Sequence, residues 1–164
     1  MFNRSDEARQ GAWFSEHHNC TLTPVENQQV GDARDFQITN IQPESPLPAG
    51  TEGKFVEMKF DYRAKRSGNL YLETRQTFNN GKDYQRSGMT LAVEQSAYIV
   101  FSVRYFTHVS HFVFTAAPMK DVLTRKMKEV RTGDNINGNR TGCWTYGSLL
   151  PVRTLDECKI VQLP

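Results

Sequence analysis

At 164 residues and 18.8 kDa the chain has the length of one domain, and it can bury roughly 70% of the surface that its unfolded form exposes. With 38% hydrophobic residues, 23% charged residues and a net charge of +2, it has neither the composition of a disordered chain nor the basic excess that by itself announces a nucleic-acid partner. Its longest mainly apolar run, Ala97 to Val103, falls far short of the ~20 residues that cross a bilayer, and no basic-then-apolar leader opens it. These features predict a cytoplasmic protein with no membrane partner.

Ser5 followed by Asp6 and Glu7 reads as a helix start, and Ala8, Ala12 and Trp13 face a core from a helix that ends near His18. Residues 19–33 are polar and aperiodic, after which Asp35 to Thr39 alternates as a short half-buried strand. A Pro-rich loop with Pro43, Pro46 and Pro48 leads to a stronger alternation from Phe55, where Val56, Met58, Phe60 and Tyr62 oppose Glu57, Lys59 and Asp61. The turn-forming run Arg63 to Asn69 returns the chain into Leu70 to Arg75, so these two strands are expected to pair as a hairpin. Loops at Asn79-Asn80-Gly81 and Ser87-Gly88 precede a short helix over Met89 to Gln95 and β-rich runs at Tyr98 to Val103 and Phe112 to Thr115. Pro118 suits a helix's first turn, and Met119, Val122, Leu123, Met127 and Val130 recur beyond it at helical spacing. Gly133 to Gly142 reads as a Gly/Asn loop, and Leu149 to Val152 as an edge segment, because Pro151 is unsuited to a central strand. The whole, residues 1–164, is expected to be a single α/β domain.

Charge is spread unevenly. Residues 1–53 carry three basic side chains against eight acidic, a balance of −5, whereas residues 57–86 and 119–140 are each +3. Cys20, Cys143 and Cys158 are too far apart for a CxxC motif, and their odd number closes no disulfide framework. His17-His18 and the pair His108 and His111 lack neighbours at ligand spacing and read as surface or packing residues.

The informative constellation is Glu57-Met58-Lys59 on an amphipathic strand, with Asp35 opening an earlier one. Alternation sends Glu57 and Lys59 to one face, about 6.7 Å apart along the chain, where both reach one ligand. Two converging carboxylates repel unless a proton or cation lies between them, and hard oxygen donors of this kind suit Mg²⁺ or Mn²⁺. A lysine beside them supplies positive charge to a phosphoryl oxygen or orients a water, the help that phosphodiester hydrolysis needs. Taken alone, Glu-x-Lys on a strand is a weak signal, because it is common as an exposed face of alternating charge.

The wider pattern resembles the PD-(D/E)XK nuclease superfamily, in particular its small single-domain members found in phage genomes. The residues that carry the resemblance are Asp32 to Ile38, Phe55 to Asp61, Ser67 to Glu73, Ser87-Gly88-Met89 and Ala97 to Phe101, with echoes at Arg131 to Asn135 and Leu149 to Val152. The resemblance implies a restriction-endonuclease-like αβββαβ core, a mixed central sheet flanked by helices, acting on DNA with Mg²⁺ or Mn²⁺. It implies Asp35, Glu57, Lys59 and Glu73 as catalytic residues, with Asp35, Glu57 and the main-chain carbonyl of Met58 around the metal and Ser87-Gly88 packed nearby. Some members add a first-helix glutamate, for which Glu7 and Glu16 both qualify, and the resemblance accommodates a homodimer. A rival assignment takes Asp61 with Glu73-Thr74-Arg75, which puts arginine where lysine is expected. A binding protein that has lost catalysis, or an enzyme acting on RNA, are the other functions open at this point.

Arg63, Lys65, Arg66, Lys82 and Arg86 are candidates for phosphate contacts, and Tyr71, Tyr84, Tyr105 and Phe106 for base stacking, although strand aromatics are mostly core. Gly133-Asp134-Asn135 lacks the spacing of a phosphate or calcium loop and reads as a surface turn.

Overall fold

The computed structural model describes residues 4–26, 32–61, 64–78, 82–86, 88–126, 130–134 and 144–159. In chain order its elements are α1 (Arg4–His18), β1 (Thr21–Pro24), β2 (Phe36–Thr39), β3 (Phe55–Phe60), α2 (Ala64–Ser67), β4 (Asn69–Phe78), β5 (Asp83–Arg86), α3 (Met89–Gln95), β6 (Tyr98–Arg104), β7 (Val109–Thr115), α4 (Ala116–Lys126), β8 (Val130–Asp134), β9 (Trp144–Pro151) and a 3-10 helix (Val152–Cys158). Acidic Asp6 and Glu7 open α1 and two histidines close it, as the helix dipole favours, and Asn19 ends it by turning left-handed (φ 46°). Gly11 lets α1 settle onto β2, since a Cβ there would lie 3.1 Å from the Phe36 ring.

The central sheet has the order β1-β2-β3-β6-β7. Its β3–β6 pair is parallel and its other pairs are antiparallel, so the sheet is mixed. One face packs through Val56, Met58, Tyr98, Val100 and Val113 against Phe14 of α1. The other packs through Ile99, Phe101 and Phe114 against α3, α4 and the β4 residues Leu70 and Leu72. The molecule is therefore α/β, with a mixed sheet flanked by helices. An antiparallel second sheet, β5-β4-β9-β8, stands beside it.

Several expectations from sequence are corrected. The strands at 55–62 and 70–75 form no hairpin: β3 lies in the central sheet and β4 in the second. Both edges of β3 are already taken by β2 and β6, and Asp61 turns the chain away by accepting the amides of Ala64 and Tyr71, each at 2.9 Å. The polar stretch after α1 contains β1, a mostly exposed edge strand held by backbone pairing such as Leu22 with Ile38. The segment read as an edge is the end of β9, a strand that lies between β4 and β8; because the β8 ladder stops at Gly147, Leu149 to Pro151 pair with β4 alone among the described residues, the edge setting that Pro151 requires, and Val152 begins the 3-10 helix. Val130 belongs to β8 rather than to the helical stripe, of which Met119, Val122 and Leu123 are buried and Met127 lies outside the described residues. Gly133 and Asp134 also lie in β8, while 135–142 are outside the described residues.

Candidate active site at a carboxylate pair

The pairing of Phe36 with Val56 places Asp35, one step earlier, opposite Glu57. Its amide donates to the Val56 carbonyl (3.1 Å), and its Oδ2 accepts the Met58 amide (2.6 Å), so backbone bonds on both sides fix the carboxyl against β3. Because Val56 and Met58 point to the α1 side, Glu57 and Lys59 project from the opposite face, toward α3 and β4.

Glu57 is 3% exposed. Its Oε1 pairs with the Lys59 ammonium, and its Oε2 is buried with no N–H or O–H donor beside it; only when protonated does the carboxyl hydrogen-bond to Asp35. Burial pushes the Glu57 carboxyl up to about 7; Lys59 opposes the shift and Asp35 adds to it. Burial also disfavours the Lys59 charge, but Glu57, with Asp35 and Glu73 behind it, outweighs that cost and holds the lysine above its ordinary value. The result is a carboxyl poised near neutrality beside a lysine that stays an ammonium.

Glu73 comes from the second sheet. It acts electrostatically on Lys59 and accepts a hydrogen bond from Gln76 Nε2 (3.0 Å). Gly88, before α3, packs against it with φ 54°, and a Cβ there would stand 2.6 Å from the Glu73 carbonyl oxygen. The structure thus brings Asp35, Glu57, Lys59 and Glu73 together, with Gly88 behind Glu73; Ser87 lies outside the described residues.

Other candidates fall elsewhere. Helix α1 covers the Val56 and Met58 face, so neither Glu7 nor Glu16 is carried on the face that bears Glu57. Asp61 is engaged by two backbone amides, and the Arg75 guanidinium lies 4.2 Å from the Tyr146 ring, which makes the rival pair a structural joint. Arg86 is ion-paired with Glu94 (2.7 Å), whereas Lys65, Arg66 and Lys82 are exposed; Arg63 and the Tyr84 side chain are outside the described residues. Tyr105 stacks on His108, and the rings of His17 and His111 sandwich Trp13, so these histidines serve packing. Cys20 and Cys158 are buried thiols, and Cys143 is outside the described residues.

Gln10 was not evident from motifs. It is 1% exposed, and its Nε2 donates to the Lys59 carbonyl (2.8 Å) and to Ser102 Oγ (2.6 Å), which in turn meets His111 Nδ1 at 2.6 Å. The available signal was spacing: Gln10, Phe14 and His18 recur every fourth residue, a polar group on an inward stripe.

Among the described residues no three His, Cys, Asp or Glu side chains form a ready metal cage. Mg²⁺, however, is commonly held by one or two carboxylates, with water and substrate phosphate completing the shell. The Glu57 oxygen that no donor meets, beside Asp35, fits that demand. No family model matches the chain, and no curated protein and no solved structure matches it.

Proposed function

We propose that this protein is a divalent-metal-dependent deoxyribonuclease with a restriction-endonuclease-like core of the PD-(D/E)XK class, hydrolysing phosphodiester bonds in recombination, repair or other DNA processing. The observation that carries this reading is the Glu57 carboxyl, whose buried oxygen lacks a donor next to a second carboxyl and on the same face as a charged lysine.

Asp35, Glu57 and the Met58 main-chain carbonyl are the groups that would hold Mg²⁺ or Mn²⁺. Such an ion supplies Lewis-acid charge at the phosphoryl oxygen and lowers the pKa of bound water. Lys59, held as an ammonium, cannot accept a proton at neutral pH. Its work is to place charge on a phosphoryl oxygen or to orient the attacking water. Glu73 supports that charge from the second sheet, and the Met58 amide keeps the Asp35 carboxyl turned toward the pair. No described helix is long and apolar enough to cross a membrane.

The test is cleavage of linear, nicked and branched DNA with Mg²⁺ and with Mn²⁺. Cutting that depends on the ion and is abolished by Glu57→Gln supports the proposal. Binding of all three substrates with no cutting of any replaces it with a non-catalytic DNA-binding role.

A further inference from the structure

The β6–β7 hairpin closes through Tyr105 to His108, where the Tyr105 amide donates to the His108 carbonyl (2.8 Å) and the two rings stack at 5.0 Å. That compact base holds out Phe106, which is 99% exposed. The Lys65 ammonium lies 5.2 Å from the Phe106 ring centroid, and Arg66 beside it in α2 is also exposed. A single ring presented on a braced turn with cations at its side offers a π-face and phosphate contacts together. That combination suits a nucleobase and its backbone better than an apolar protein surface.

Its position relative to the carboxylates matters. Strands β3 and β6 are parallel, and Lys59 pairs with Phe101. Side-chain exposure rises from 4% at Glu57 to 27% at Lys59, so the site opens toward the strand ends that carry the hairpin tip and α2. The five steps from Phe101 to Phe106 span at most about 16 Å, which limits the separation to about five steps of a nucleic-acid strand.

We infer that Phe106, flanked by Lys65, is a base-stacking wedge that selects DNA containing unpaired bases, as at a flap, bubble or branch, and keeps the cut within about five nucleotides of it. This inference rests on the nuclease reading above and is tested apart from it. Binding is measured in EDTA, without cleavage, to a perfect duplex and to the same duplex carrying a single-stranded flap with 2-aminopurine at the junction. Phe106→Ala should weaken flap binding about 5- to 100-fold, abolish the 2-aminopurine stacking signal and leave duplex binding within about two-fold; Phe106→Trp should restore both. Lys65→Ala should weaken both substrates and lower the salt slope by about one unit. Because Phe106 is exposed, circular dichroism of the variants should match wild type. Equal effects of Phe106→Ala on flap and duplex, or none on either, overturn the wedge even if the protein cuts DNA. A flap preference lost in Phe106→Ala without any cutting by wild type keeps the wedge and removes the nuclease, and absence of all DNA binding overturns both.

Discussion

A hydrogen-bond chain runs behind Lys59. Both hydrogens of the Gln10 amide are spent, on the Lys59 carbonyl and on Ser102 Oγ, and the Ser102 hydroxyl shares a hydrogen bond with His111 Nδ1. Burial, with the nearby His17 adding to it, pushes His111 down to about 4. The unfolded chain takes up this proton below about pH 6.5 and the folded chain refuses it, so His111 contributes full stability above 6.5 and loses it as pH falls toward 4. The Glu57 carboxyl, raised to about 7, works in the opposite sense, its contribution being lost as pH rises through that value. Urea denaturation of wild type and His111→Gln separates them, because Glu57 is common to both. Between pH 7 and pH 4.5 wild type should lose on the order of 2–3 kcal/mol more than the variant. At this scale the sequence revealed much of the site: alternation put Glu57 and Lys59 on one face, as they are. It could not reveal Gln10, whose role depends on a carbonyl 49 positions away.

Elements were legible where their signal was local. The helix over Met89 to Gln95 and the alternation of β3 stand as read, because spacing alone defines them. The hairpin reading failed because strand pairing depends on which edges are free, and β6, far along the chain, claims the edge of β3. Strand β1 was missed because an exposed edge strand needs backbone partners rather than apolar side chains. Gly88 shows how one junction between elements shapes the site. Gly68 and Gly88 both have positive φ, but a Cβ at Gly68 meets nothing within 4 Å, whereas at Gly88 it collides with the Glu73 backbone. Gly68→Ala should therefore cost only the left-handed strain, about 1–2 kcal/mol, while Gly88→Ala adds about 1–3 kcal/mol of overpacking and displaces Glu73. Equal shifts of the two urea midpoints would show that Gly88 does not press on Glu73.

The molecule as a whole assembles its site from two sheets. Asp35, Glu57 and Lys59 stand on the central sheet, and Glu73 reaches them from the second, a convergence that only long-range topology produces. Glu73 was accessible from sequence through family resemblance alone. The paired carboxyls give the metal proposal a readout in stability: Mn²⁺ should raise the melting temperature of wild type at pH 8. Glu57→Gln should be at least as stable as wild type without the ion, since it lacks a buried charge, and should gain nothing from Mn²⁺. An equal gain in both proteins would place the ion elsewhere. Lys59 carries the central claim, because its charge sits on the carboxylate face and should matter most as charge shifts in the transition state. The decisive measurement is the single-turnover rate of cleavage of branched DNA with Mg²⁺ by wild type and by Lys59→Ala. The account predicts a rate lower by about 100-fold or more with DNA affinity within a few-fold of wild type; cleavage by Lys59→Ala at the wild-type rate would contradict it.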